Sequence, residues 1–162
     1  MNAWQIIGTV LVSFVMMEFV AWATHRFVMH GFLWCLHKDH HQRDHDHLLE
    51  RNDSFFLIFA MPSILLFLIG SLRGLHTPWL WIGLGILLYG IAYFLVHEIF
   101  IHQRITWLHH SNKAYFMALR RAHKRHHKHL GKEEGECFGM LIVPFVYLRQ
   151  ARKQQKQNGH DL

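Results

Sequence analysis

Three long apolar stretches constrain this chain more than any other feature of its sequence. They cover residues 3–24, 54–72 and 78–96, and the third contains no charged residue. Each approaches or exceeds the roughly 20 apolar residues that an α-helix needs to cross a bilayer core. We expect the first to remain as a helix and not to be a cleaved signal, because it lacks a basic start and carries Glu18 in its apolar core. The sequence therefore predicts an all-α, multi-span transmembrane bundle with three full spans.

The distribution of Lys and Arg predicts how these spans are oriented. Basic residues follow the first and third spans, whereas the link between the second and third spans contains one, Arg73. Basic loops near span ends face the cytoplasm, so we expect a multi-pass protein of the inner cell membrane with its C-terminus inside. The net charge of +6 accompanies no nucleic-acid recognition motif. Contact with membrane lipid is therefore expected, and nucleic-acid binding is not.

Residues 137–148 form a fourth apolar segment, which is too short to cross a membrane and is interrupted by Pro144. A fourth crossing would also place the basic residues behind this segment on the outer side. We therefore expect a short re-entrant or interfacial segment that lies against the bundle, followed by a flexible basic tail at residues 149–162. Residues 1–162 would then form a single integral-membrane domain.

Histidine is strongly over-represented, with 17 in 162 residues. Ten of these repeat one pattern twice: a pair separated by four residues, followed by a triplet at i, i+3 and i+4. The pairs are "HRFVMH" and "HEIFIH", and the triplets are "HKDHH" and "HKRHH". The ten candidate metal ligands are His25, His30, His37, His40, His41, His97, His102, His123, His126 and His127.

The triplet spacing places three imidazoles on one side of a helix, where protonated rings would repel one another and neutral rings can bind a metal. The pair spacing is different, because residues five apart on a regular α-helix point about 140° away from each other. Either the helix ends between the two members, which a cap at Gly31 would favour, or the two members bind different ions.

Topology is expected to bring all four clusters to one membrane face. Ten imidazoles exceed the needs of one ion, since zinc takes four ligands in structural sites. A histidine-rich cytoplasmic cap that holds two metal ions is therefore predicted, and a loose metal-buffering tract is the alternative. The remaining histidines match no repeat and are expected to be solvated loop residues: His45, His47, His76, His109, His110, His129 and His160.

The phrases "HRFVMHG", "HEIFIHQR", "RRAHKRHH" and "GKEEGECFGMLIVP" resemble the membrane-bound hydroxylases and desaturases of the fatty acid hydroxylase superfamily. Within it, the chain is more similar to the bacterial β-carotene hydroxylases. The resemblance implies transmembrane helices capped by two non-haem iron ions, with the ten histidines as ligands. It also implies that O2 and two electrons from a ferredoxin-type donor hydroxylate C3 of the β-ionone rings of β-carotene, giving β-cryptoxanthin and zeaxanthin.

The chemistry of that reaction agrees with the residues. Ring C3 is not allylic, so its C–H bond offers no special acidity to an acid or base, whereas imidazole-bound iron activates oxygen. A fatty-acid or sterol hydroxylase or desaturase would carry the same histidine pattern and is the alternative within the superfamily. A metal transporter or store would need ligands along a path through the membrane, and the second span offers none.

Rings that bind a metal also need partners for their second nitrogen. Glu18 lies seven residues before His25 on nearly the same helix face, and we expect it either to bond into the site or to make an interhelical contact. Asn52 is expected to cap the second span or to contact metal-bound water. Glu98 lies inside a histidine cluster and has Arg104 as a possible partner.

Overall fold

The structure, a computed structural model, describes residues 1–42, 49–105 and 111–160, without the side chains of residues 158–160. The described residues form helices and irregular segments and contain no strand, as expected for an all-α protein. The α-helices are α1 (Ala3–Ala23), α2 (Trp34–His41), α3 (Ser54–Arg73), α4 (Trp79–Phe94), α5 (Ala114–His126) and α6 (Phe145–His160). A π-helix continues α1 (π1, Thr24–Phe32), another continues α4 (π2, Leu95–Ile101), and a 3-10 turn precedes α3 (Arg51–Asp53).

Three helical runs are long and apolar enough to cross a membrane: Ala3–Phe32, Arg51–Arg73 and Trp79–Ile101. Only 11% to 17% of the residues in their apolar windows are buried inside the protein, so most of these side chains require lipid around them. The predicted number of spans is confirmed, and the chain is membrane-associated. The first and third runs extend beyond their predicted ends, because the segments that carry the histidine pairs remain helical.

Helix α4 packs against both α1 and α3. Small residues let the helices approach closely. No side chain would fit at Gly85, because a Cβ atom there would lie only 2.5 Å from the Cβ atom of Ser13 in α1. On the other side, the hydroxyl of Ser63 in α3 donates to the carbonyl of Gly83 at 2.8 Å. Contacts of this kind are the usual way in which helices associate in lipid. They establish α4 as the central helix of the membrane part.

The polar cap forms at the end of the bundle where α1 ends, α3 begins and α4 ends. The chain leaves helical conformation at Gly31 (φ −106°, ψ −124°) and then turns into α2. Helix α5 packs on π2 and α6, and α2 packs on π1 and on the 3-10 turn. These contacts bring segments that lie far apart in sequence to one end of the spans.

Residues 137–148 do not form a spanning helix, because residues 137–144 are irregular and α6 begins at Phe145. The irregular part lies against the bundle, where the N–H groups of residues 140–142 contact Glu18 in α1. Helix α6 continues through this region to residue 160, and Ala151 within it is completely buried. The flexibility expected from residue 149 stays a prediction. The single-domain organisation of residues 1–162 stays a prediction.

Candidate metal centre

Five of the ten predicted histidines meet in one buried group, which we call group A. They come from π1, α2 and α5, and one nitrogen from each ring lies within 4.8 Å of the corresponding nitrogens of the others. Every member is buried. Group A consists of His25, His30, His37, His41 and His126.

Each ring in group A directs its Nδ1 atom at an oxygen. Four of the oxygens are backbone carbonyls: that of Phe138 lies 3.1 Å from His25, that of Lys132 3.0 Å from His30, that of His129 3.0 Å from His41 and that of Glu136 2.8 Å from His126. The fifth is the side-chain oxygen of Asn52, which lies 2.7 Å from His37. These oxygens only accept hydrogen bonds, so each Nδ1 carries the hydrogen and each Nε2 keeps a lone pair.

The Nε2 lone pairs of group A therefore face one another with no hydrogen between them. The Nε2 atoms of His25 and His37 are 3.2 Å apart, and that of His30 lies 3.2 Å from His41 and 3.3 Å from His126. The arrangement is electrostatically unfavourable by itself and becomes favourable when a cation accepts the lone pairs. A neutral ring oriented through its second nitrogen is the usual form of a metal-binding histidine, so group A fits a metal ion.

The π-helical ends of the spans explain how histidines five residues apart reach one group. A π-helix bonds residue i to residue i+5, and in π2 the amide of His102 donates to the carbonyl of His97 at 2.9 Å. The structure differs from the first alternative drawn from the spacing, which assumed that a regular α-helix ends between the two members. The helix does not end between His25 and His30, and the two members of each pair lie in the same group. The helical conformation ends at Gly31, one residue after the pair.

A second group, group B, contains four more of the predicted histidines, and one nitrogen from each ring lies within 4.8 Å of those of the others. Two of its rings direct Nδ1 at carboxylates, one of them at Glu50 at 3.0 Å and the other at Glu98. Among the described residues, the buried Nε2 atom of His40 has no hydrogen-bond partner. Group B therefore also offers lone pairs that fit a cation. Its members are His40, His97, His102 and His123.

His127, the tenth predicted ligand, lies between the two groups. Its ring stacks on His41 of group A with 4.5 Å between the ring centres, and it lies 4.5 Å from the ring of His123 in group B. Its Nε2 atom is buried, and no partner for it occurs in the described part of the chain. The structure thus brings nine of the predicted histidines into two groups and places the tenth in contact with both.

Burial and mutual repulsion favour the neutral form of the rings that lie outside the spans. Loss of water around the charged form, together with repulsion from neighbouring imidazoles, lowers the pKa of His41 and His126 to about 3. Burial likewise lowers the pKa of His102 to about 2 and holds the pKa of His40 and His123 well below the usual value. A neutral imidazole is the form that binds a metal, so the groups are ready for ligation near pH 7.

Arg104 joins three carboxylates beside group B. Its guanidinium nitrogens lie 2.7 Å from Glu50, 2.8 Å from Asp53 and 2.9 Å from Glu98. Two of these carboxylates, Glu50 and Glu98, are the ones that orient rings of group B. The pair of Arg104 and Glu98 agrees with the contact suggested by the sequence. The role of Glu50 was missed, because a single carboxylate in a polar segment carries no recognisable pattern.

Group B borders a polar cavity of about 300 Å³. His102 is half-buried, whereas all members of group A are buried, so group B is the more accessible of the two. The cavity is therefore the open approach to the candidate centre among the described residues. Its lining is His40, Glu50, Ile101, His102, Arg104, His123, Lys124 and His127.

The irregular segment 129–138 supplies four of the five oxygens that orient group A. Glu18 anchors residues 140–142, which follow this segment, because its carboxylate accepts a hydrogen bond at 2.9 Å from each of their backbone N–H groups. It also accepts a hydrogen bond at 2.7 Å from the hydroxyl of Tyr89 in α4. Glu18 thus makes an interhelical contact and supports group A through the main chain. Sequence reasoning missed segment 129–138, because backbone carbonyls leave no side-chain signature.

The other candidate residues are placed as follows. Asn52, expected as a helix cap or as a contact to metal-bound water, instead accepts a hydrogen bond from His37 at 2.7 Å. His76 is exposed in the turn between α3 and α4, as expected. The ring of His129 is half-buried in an irregular segment and lies 3.5 Å from the carboxylate of Glu136. His45, His47, His109 and His110 lie outside the described residues, as does the side chain of His160.

Known proteins resemble this chain over most of its length. The fatty acid hydroxylase family model matches residues 10–146. A β-carotene hydroxylase from Paracoccus sp. (strain PC1) is 39% identical over 142 residues, which are 87% of this chain and 83% of the relative. A β-carotene hydroxylase from Pantoea ananas is 37% identical over 147 residues, 91% of this chain and 82% of the relative.

A plant relative is considerably longer than this chain. The chloroplastic β-carotene 3-hydroxylase 2 of Arabidopsis thaliana is 35% identical over 130 residues, which are 79% of this chain and 42% of the relative. No solved structure matches the chain. The resemblance inferred from the histidine motifs is confirmed: the chain belongs to the fatty acid hydroxylase family, a family of oxygenases.

Proposed function

We propose that this chain is a β-carotene 3-hydroxylase that uses two non-haem iron ions. The observation that supports the proposal is the pair of adjacent imidazole groups, each of which could hold one metal ion. The names of the relatives supply the substrate class. The overall reaction inserts one oxygen atom of O2 into a C–H bond and reduces the other to water: R–H + O2 + 2 e⁻ + 2 H⁺ → R–OH + H2O.

Groups A and B would each hold one ion, and His127 would complete the ligand set. Bound iron supplies the oxygen-activating redox chemistry that zinc lacks. The chain itself orients the rings, because the partners of their Nδ1 atoms fix both the tautomer and the direction of each lone pair. The proposed ligands are His25, His30, His37, His40, His41, His97, His102, His123, His126 and His127.

The substrate is dissolved in the bilayer, so its ring has to reach the centre from the membrane side. The position of the histidines supports this path, since His25 and His97 lie in the same helical runs as the apolar spans. The ring of Tyr93 lies one turn deeper in the third span, with its centre 4.9 Å from that of His97. The cavity beside group B supports the delivery of electrons from the aqueous side by a ferredoxin-type donor.

The proposed location of the centre is the cytoplasmic side of the inner membrane. The basic residues after the first and third spans support this orientation, since basic segments near span ends stay in the cytoplasm. Both the histidine groups and the C-terminus would then face the compartment that holds soluble electron donors.

Expression in a bacterial host that accumulates β-carotene tests the proposal. The wild-type chain is expected to produce β-cryptoxanthin and zeaxanthin, identified by chromatography and mass spectrometry. His126→Ala removes a ligand of group A and is expected to abolish turnover. His76→Ala changes an exposed residue of a turn and serves as the matched control, with wild-type product levels expected.

Elemental analysis of the purified protein separates this proposal from its alternatives. Two irons per chain are expected, and labile zinc in their place would contradict an oxygenase. A folded, iron-loaded chain that leaves β-carotene unchanged but modifies fatty acids or sterols would retain the centre and overturn the substrate assignment.

A further inference from the structure

A second cavity, of about 230 Å³, lies where the end of the third span meets α5 and α6. Three of its lining residues are cationic: Arg120, Arg121 and Lys124. None of the lining residues that the structure describes is acidic. The described wall of the cavity therefore carries an excess of cationic side chains, which favours an anion as the occupant.

The two arginines are held in place by their neighbours. Arg120 donates to the carbonyl of Phe100 at 2.8 Å, and its guanidinium lies over the ring of the same residue, 4.4 Å from the centre. Arg121 donates to the side chain of Gln154 in α6, and both arginines are half-buried. A guanidinium that is already oriented loses little freedom when it binds, and its planar donors match the oxygens of a phosphate.

The apolar wall of the cavity places it at the membrane boundary. Phe100 belongs to the last turn of the third span, and its ring contacts that of Phe116 edge to face, with 5.1 Å between the centres. The cavity thus combines aromatic rings at the end of a span with cations beyond them. This composition suits a phospholipid, whose phosphate would meet the cations while its glycerol and acyl chains would meet the half-buried ring of Phe116.

We propose that this cavity binds the phosphate group of an anionic membrane phospholipid. The bound lipid would link α5 and α6 to the surface of the bilayer. Because α5 also carries His123 and His126, this link would fix the position of the polar cap relative to the spans. The site is independent of the proposed hydroxylation, since it uses none of the residues of groups A and B.

Retention of lipid by the purified protein tests this assignment. The wild-type chain, exchanged from vesicles of phosphatidylglycerol or of phosphatidylcholine into detergent, is examined by native mass spectrometry for bound lipid. A double variant with Arg121→Gln and Lys124→Gln, the cavity variant, removes two charges from the cavity. The matched control, Lys153→Gln and Lys156→Gln, removes two charges from exposed positions of α6 that do not line it. The charge-preserving pair Arg121→Lys and Lys124→Arg, with circular dichroism, shows whether folding itself is affected.

The wild type, the control and the charge-preserving pair are expected to retain phosphatidylglycerol, and the cavity variant should bind it about 30-fold more weakly. Equal retention by the cavity variant and the control would overturn the proposal. Thermal stabilisation by millimolar inorganic phosphate without retention of lipid would overturn the lipid as the source of the phosphate. If the cavity variant retained lipid like the wild type but no longer bound an acidic protein, the lipid proposal would be overturned in favour of a protein partner.

Discussion

Replacement of Glu18 by alanine is expected to release residues 139–142 together with the preceding segment 129–138, and thereby to weaken metal binding by group A. The carboxylate accepts three backbone hydrogen bonds from residues 140–142 and a fourth contact from Tyr89. Its partners on Met140 and Tyr89 belong to residues that are only 3% exposed, so water cannot readily replace the lost acceptor. The segment that would be released carries four of the oxygens that orient histidines.

The size of the effect follows from the unpaired donors. Each buried donor left without a partner costs about 1–3 kcal/mol, so the two on Met140 and Tyr89 together cost about 2–6 kcal/mol. For a chain of this length, the midpoint of thermal unfolding should fall by about 10 °C. Loss of ring orientation typically lowers metal affinity by about 10–100-fold. Group A should therefore lose its metal to a chelator before group B does.

The assay measures the unfolding midpoint and the metal content per chain after dialysis against a graded series of chelator concentrations. Glu18→Gln keeps an acceptor oxygen and should fall between the wild type and the alanine variant. Ser63→Ala is the matched control, because it removes a buried hydrogen bond between α3 and α4 that does not touch the segment. Metal loss in the Ser63 variant equal to that of Glu18→Ala, or wild-type metal retention in the latter, would refute the reasoning.

Three further predictions follow from the contacts of the cap. Asn52→Leu removes the acceptor for His37 and should weaken metal binding about 10–100-fold, measured by chelator competition; an unchanged affinity would contradict the orienting role. Arg104→Ala leaves three carboxylates without their common cation and should lower the free energy of unfolding by about 3–5 kcal/mol, whereas Arg104→Lys should recover part of it in denaturant titrations. Complete removal of metal should lower the thermal midpoint by about 5–10 °C, since a ligand at 100 times its dissociation constant contributes about 2.7 kcal/mol. Added Fe²⁺ should restore the midpoint, and an apo protein as stable as the loaded form would count against the two groups as metal sites.

The parts of the fold that depend on side-chain pattern could be predicted from the sequence. Apolar length gave the three spans, and histidine spacing identified the residues that form groups A and B. The geometry of the pairs could not be predicted, because a period of 3.6 residues was assumed where π1 and π2 bond residue i to residue i+5. Glu50 and the carbonyls of segment 129–138 were missed for a different reason. Their roles arise from tertiary contacts between parts of the chain that share no motif.

The main-chain oxygens around group A have a consequence for variation in this protein. Lys132, Glu136 and Phe138 contact the rings through their carbonyls, so these hydrogen bonds do not depend on the side chain. The side chain of the exposed Lys132 can therefore change, whereas the ring of Phe138 also packs against the rings of group A and is constrained. Glu134 and Cys137, which have φ values of 63° and 61°, would even accept glycine readily. The insertion or deletion of one residue would move every oxygen out of line with its ring. Variation in this stretch should therefore be strict in length, and free in identity only where the side chain is exposed, as at Lys132.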